Sequence, residues 1–344
     1  MVTLNIVLEG DIKMPKNIEP RLRTIGQYLT LNSQEVFVIP KYQRGYSWEI
    51  TQCEKLWQDM ESFIENRGED PYFFGTVIIS CEDSKLTLID GQQRTTTFIL
   101  LLKALLIQLT ISIKHTERDG DSGNLHNILV RKRDKVISIL YKVTDDGVDE
   151  IVENFETTKI SSILENHSIN ELYNFELDTI LKSETFESAE KKVERIPRKQ
   201  KDNKYTNYFK NFKFFYEQFD HLSDSEINTF AEYILSKSEI IEIRSWNVEQ
   251  AITMFNSLNS DGMPLTDADI ISAQLYSNAQ ENRNVFDEKW KELKKIVEED
   301  IKNDCKITID AVLLQYMYIN RSVDKEYISE SGAVSVTTPV MSAI

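Results

Sequence analysis

Two glutamine–arginine pairs, Gln43-Arg44 and Gln93-Arg94, are the residues in this chain best suited to hold an anion. An arginine offers a planar fork of donors that matches phosphate or carboxylate, and it stays charged. The second pair lies in residues 86–109, LTLIDGQQRTTTFILLLKALLIQL. This stretch reads as a short apolar strand, a tight turn at Asp90-Gly91 and a long apolar helix. Asp90 is placed where a helix N-cap would sit. The first backbone N–H groups of such a helix have no internal acceptor, so Gly91, Gln92, Gln93, Arg94 and Thr95 would present donors and a fixed cation to an anion such as phosphate. The alternative is a capped core helix with a solvated first turn. The apolar run is broken by Lys103 and Gln108 and reads as too short to span a membrane.

The first pair sits in residues 41–49, KYQRGYSWE, which packs a glycine and three aromatics around its basic residues. Gln43 and Arg44 can donate to an anion, and Tyr46 and Trp48 can stack on a planar group. Equally, the aromatics can plug the core while Arg44 pairs with Glu49. A third distinctive stretch, residues 250–276, reads as a helix to Leu258, a turn at 259–262 and a new helix from Thr266, signalled by Thr266-x-x-Asp269. Asn256 and Asn259 beside that turn either hold a ligand edge or close the turn.

These motifs need elements to position them. The chain has 344 residues, 41% hydrophobic and 28% charged, enough for about two domains. Only 11 Gly and 7 Pro favour helices over a many-turned all-β fold. Residues 21–31 read as a short amphipathic helix and 36–39 as a strand. A helix opens with a capping box Thr51-x-x-Glu54, and 73–80 with 86–89 form a strand hairpin. Residues 112–170 look mostly helical, 205–219 form an aromatic-rich helix suited to core or partner contact, 240–243 a strand, and 286–319 more helix. Residues 1–20 read as a lead-in and 321–344 as a tail.

The formal net charge of −16 excludes non-specific coating of nucleic acid by the whole chain. Against that background, residues 191–204 (KKVERIPRKQKDNK) carry seven basic residues: Lys191, Lys192, Arg195, Arg198, Lys199, Lys201 and Lys204. They form either a solvated loop or a contact to a DNA backbone. Three scattered cysteines and four scattered histidines give no disulfide framework, zinc spacing or histidine metal pair, which fits a reducing cytoplasm. No signal peptide is evident. No Walker P-loop occurs.

Taken together, Tyr42-Gln43-Arg44 with Tyr46 and Trp48, Asp90-Gly91-Gln92-Gln93-Arg94, and Phe255-Asn256-x-Leu258-Asn259 with Gly262, Leu265-Thr266 and Asp269 resemble the N-terminal domain family of GmrSD-type, modification-dependent restriction systems. The resemblance is good over residues 22–110 and 245–280. It implies an α+β fold: a ParB/sulfiredoxin-like core with a small mixed sheet over residues 1–110, then a mainly helical region over 111–344. It implies nucleotide binding and hydrolysis that regulates DNA cleavage in phage defence. By that likeness Gln43, Arg44, Tyr46, Trp48, Gly91, Gln92, Gln93, Arg94, Thr95, Asn256 and Asn259 line a nucleotide site. Asp90 would repel phosphate unless a divalent cation lies between them or it acts on the attacking water. It therefore takes the metal (Mg2+) or water role, and Arg94 and Arg44 stabilise charge. Gly45 stands where the family often has proline. No HNH-type nuclease unit is found, so cleavage is expected of a domain or subunit outside these residues. The expected partners are DNA, modified in some way, that nuclease, and a second copy in a homo-oligomer, with no membrane. The competing readings are a non-catalytic DNA-binding sensor and a ParB-like nuclease.

Overall fold

The computed structural model describes residues 18–40, 43, 45–66, 71–82, 84–118, 123–143, 145–155, 158, 160–167, 171–196 and 206–258, then 282–297 and scattered positions between 268 and 316. Residues 18–20, the end of the expected lead-in, are strand; the rest of the lead-in, the turn at 259–262, the Thr266-x-x-Asp269 signature and the tail lie outside the described residues.

Six strands form one mixed sheet: β1 (Ile18–Thr24), β2 (Val36–Ile39), β3 (Tyr72–Glu82), β4 (Lys85–Asp90), β5 (Leu164–Asn166) and β6 (Ser238–Ser245), in the order β1-β6-β3-β4-β2-β5. β3 pairs antiparallel with β4, as the hairpin reading requires, and parallel with β6. β2 lies parallel between β4 and β5. Alternate residues of β3 serve two cores. Val77 and Ile79 join the larger one, and Ile78 joins a second on the opposite face. Burial on both faces explains the continuous apolar run of these strands.

The larger core is built around α3 (Gln92–Arg118). Around it lie α1 (Ile25–Leu29), α2 (Ile50–Glu65), α4 (Asn124–Leu140), α5 (Asp145–Asn154), α6 (Glu171–Leu181), α7 (Phe186–Glu194), α8 (Asn207–Asp220) and α9 (Asp224–Glu232), which runs into a π-helical turn at Tyr233–Lys237. The second core packs α10 (Val248–Leu258) and α11 (Arg283–Lys295) on the other sheet face, with Phe255 and Trp290 at its centre. The result is an α+β fold with a mainly helical continuation. β5 and β6 come from beyond residue 110, so the boundary expected there falls inside one hydrogen-bonded sheet.

Three local readings need correction. Residues 21–24 are strand: Arg21 pairs with Glu242 and Glu19 with Arg244 across β1 and β6, and helix begins only at Ile25, capped by Thr24 and Gln27. Leu22, Ile25 and Leu29 mimic helical spacing, but the ladder to β6 satisfies the backbone first. Helix α2 starts at Ile50, with its N-cap at Glu49, two residues before the expected Thr51, because Glu49 N donates to Gln52 Oε1 at 2.8 Å. Finally, α3 is 27 residues long and by length and composition alone could cross a membrane, so the run is not too short. Its most apolar window is 89% buried inside the fold, which accounts for its apolarity without a bilayer.

Candidate functional site: the start of helix α3

The strand β4 ends at Asp90 and α3 begins at Gln92, so Gly91, not Asp90, occupies the flanking position of the helix. Gly91 has φ +84°, and a Cβ there would come within 2.6 Å of Val77 Cγ2. Only glycine meets both conditions. The turn thus presses the helix start against β3.

From this start the side chains divide. Gln93, Thr95 and Thr97 turn inward and are buried, while Gln92 and Arg94 are half-buried. Thr95 Oγ1 donates back to Gly91 O at 2.9 Å and accepts from Tyr28 Oη at 2.7 Å. Thr97 Oγ1 donates to Gln93 O at 2.8 Å and accepts from Tyr46 Oη at 2.8 Å. Each carbonyl only accepts, which fixes the direction of both chains. Burial raises both phenols far above their ordinary range. They therefore remain hydroxyl donors. Beside Tyr46, burial pushes the Cys53 thiol up to about 12, so it is not a nucleophile at neutral pH.

Arg94 takes another route. Its Nη1 donates to Thr76 O on β3. Gly75, with φ +95°, sits where the β3–β6 register shifts, and a Cβ there would stand 3.1 Å from that same Nη1. The bulge aims Thr76 O at the guanidinium. Among the described residues no carboxylate pairs with Arg94, which leaves most of its donors for something else.

Gln43 and the 45–48 segment are held from three sides. Gln43 is buried, and its Nε2 donates to Leu88 O at 2.7 Å and Ile89 O at 3.0 Å, on the strand that ends at Asp90. Gln93 Oε1 accepts from Ser47 N at 2.8 Å and Trp48 N at 3.2 Å, and its Nε2 donates to Gly45 O at 3.1 Å. From α8, Asn211 Nδ2 donates to Tyr46 Oη at 2.8 Å and Trp48 O at 2.9 Å, while Tyr208 stacks on Tyr46 at 4.8 Å between centroids. The Gln93 carboxamide, the Gln43 Nε2 and Tyr46 thus spend their hydrogen bonds on the protein's own chain, while Gln43 Oε1 is buried with no hydrogen-bond partner among the described residues. Trp48 is half-buried against the main core. Arg44 lies outside the described residues.

The structure therefore joins the first two motifs directly. The third comes from the other sheet face: Phe255 of α10 shares a core with Ile78 and Ile89, the latter next to Asp90. Asn256 lies in the last turn of α10, and Asn259 lies outside the described residues. The basic window is elsewhere. Lys191 and Lys192 are exposed near the end of α7, and Arg195 follows it, interleaved with Glu187, Glu190 and Glu194. Arg198, Lys199, Lys201 and Lys204 lie outside the described residues. Among those described, no group of three His, Cys, Asp or Glu residues forms a metal cage.

Sequence reasoning missed Tyr28 and Asn211, the distant partners of this turn. Asn211 sits in an aromatic-rich helix, and its one signal is a small amide among rings.

The fold and the turn define a class: an α+β protein that sets an arginine, with no carboxylate partner among the described residues, at the start of a core helix. The model of the family described as GmrSD restriction endonuclease, N-terminal domain, matches residues 25–276. The chain belongs to that family, and membership makes it a component of a restriction, phage-defence system. No curated protein matches the chain.

Proposed function

We propose that the chain binds a nucleoside triphosphate at the start of α3 and hydrolyses it to regulate DNA cleavage by a nuclease domain or subunit. The observation that carries this reading is Arg94. It is half-buried, has no carboxylate partner among the described residues, and stands in the first turn of a 27-residue helix. That turn adds backbone donors and the positive end of the helix dipole.

Arg94 binds the phosphates and stabilises charge on the terminal phosphoryl group as it transfers. Arg44 is assigned the same task. Gln43 and Gln93 take a positioning role, since their carboxamides fix Gln43 to β4 and the 45–48 segment to α3. Asp90 supplies a carboxylate at the turn. It would hold a magnesium ion beside the bound phosphates. Alternatively it orients the attacking water. When bound, the metal would neutralise phosphate charge. Water adds to the terminal phosphorus, the bridging P–O bond breaks, and nucleoside diphosphate and inorganic phosphate leave. DNA, recognised in part through Lys191, Lys192 and Arg195, is the regulated substrate.

The test is equilibrium binding of ATP and GTP with magnesium. Wild type should bind one of them, and Arg94→Ala should weaken it at least tenfold, about the worth of a charge-assisted contact. Equal affinity of wild type and variant would contradict the assignment.

A further inference from the structure

One buried polar group serves this site from a distant element. Asn211 lies in the second turn of α8 and is fully buried among Phe209, Phe212 and Phe215. Its Nδ2 reaches both Tyr46 Oη and Trp48 O, while its Oδ1, equally buried, has no hydrogen-bond partner among the described residues. An apolar side chain would fill this core more favourably than an amide with an unmet acceptor. What the amide provides is geometry. It starts a chain of donors: Asn211 Nδ2–H to Tyr46 Oη, Tyr46 Oη–H to Thr97 Oγ1, and Thr97 Oγ1–H to Gln93 O. The chain ends on the backbone of the residue whose side chain grips Ser47 and Trp48.

Helix α8 is itself fixed at that end. Glu176 of α6, fully buried, accepts from Thr206 N, Thr206 Oγ1 and Phe209 N and so caps the helix start. Asn207 Nδ2 adds a long contact to Ser47 O at 3.5 Å. The first two turns of α8 thus form a strut, anchored by a carboxylate behind and touching the glutamine–arginine loop in front.

We propose that Asn211 is a positioning residue for the nucleotide site: it sets the 45–48 loop against Gln93 at the start of α3. This rests on the nucleotide reading of the α3 turn. Asn211 touches no substrate; it acts through Tyr46 and Trp48. A loop displaced by about an ångström costs a catalytic site on the order of a hundredfold.

The experiment pairs turnover of ATP and GTP with hydrogen exchange at the Ser47 and Trp48 amides, in wild type and in Asn211→Leu and Tyr46→Phe. Asn211→Leu should speed exchange at these two amides, leave α8 amides unchanged, not lower the melting temperature, and cut kcat/KM roughly 10- to 100-fold. Tyr46→Phe, which keeps the Asn211–Trp48 bond, should show a smaller loss. Lys103→Met, far along α3, should leave turnover unchanged and so separate stability from positioning. Should Asn211→Leu unfold the protein, Tyr46→Phe decides: unchanged exchange and unchanged kcat/KM overturn the proposal. So does an active wild type whose Asn211→Leu variant keeps both. A wild type that neither binds nor turns over nucleotide overturns the nucleotide reading itself and removes the Asn211 assignment with it.

Discussion

Among the polar groups that helix α3 buries, those of its first turns and Lys103 behave differently, although Thr96 Oγ1 is buried with no hydrogen-bond partner among the described residues. In the first turns, Gln93, Thr95 and Thr97 each meet a partner that orders a neighbouring segment: the 45–48 loop, Tyr28 of α1 and Tyr46. Two to three turns on, Lys103 is fully buried with one hydrogen bond, to Tyr141 Oη at 3.0 Å, under the ring of Phe155 at 4.4 Å. Tyr141 Oη in turn donates to Leu181 O. Burial, opposed by nearby Glu184 and reinforced by Lys192, pulls the Lys103 amine down to about 7. Neutral donors and acceptors are buried at little net cost once paired, whereas a buried amine lowers stability whenever it must carry charge. The first place is organised for geometry, and the second is a standing cost.

Substituting Lys103 should therefore break the symmetry between the two places most sharply. Its amine in the fold loses its proton near pH 7, against 10.5 for an ordinary lysine. The unfolded chain thus holds an extra proton between these values, and stability rises with pH across that window. Below pH 7 the whole penalty is present. Lys103→Met should stabilise the protein by roughly 3 kcal/mol at pH 6, after allowing for the lost Tyr141 bond, with the gain fading toward pH 10. Urea unfolding at both pH values reads this out. A gain independent of pH would contradict the burial of charge.

At the other end of the comparison the sign should reverse. Gly91→Ala forces a side chain into a left-handed backbone and against Val77, and should cost roughly 2–3 kcal/mol in the same denaturation assay. Tyr28→Phe removes the donor to Thr95 and should cost about 1 kcal/mol. Smallest of all, reversing Lys191, Lys192 and Arg195 to Glu should leave stability within about 0.5 kcal/mol, because these positions are exposed. The same change should flatten the salt dependence of DNA binding, as fewer phosphates are neutralised. Loss of the fold on that last change would mean the basic residues are structural.

The contrast also shows what a sequence can say. β2, β3, β4 and the apolar body of α3 were legible because burial on both faces leaves continuous apolar runs. β1 was not, since Leu22, Ile25 and Leu29 satisfy helical spacing locally and only the remote β6 ladder decides otherwise. β5 is three residues long and leaves no period to read. At the site, the strand, the Asp90-Gly91 turn and the helix after it could be read from residue type. That Gln43 and Gln93 direct their amides at backbone carbonyls and N–H groups could not, because a glutamine looks the same whether it holds a ligand or a loop. Asn211 was hidden for the same reason, its partners lying in a loop far away in sequence.

The central claim is that the start of α3 is a nucleotide-hydrolysing site. Phosphate release from ATP and GTP with magnesium, in wild type and Arg94→Ala, with and without DNA, tests it most directly. The account predicts turnover by wild type, modulated by DNA, and a loss on the order of 10²- to 10³-fold in the variant. Turnover unaffected by Arg94→Ala, or none from wild type under any of these conditions, would contradict it.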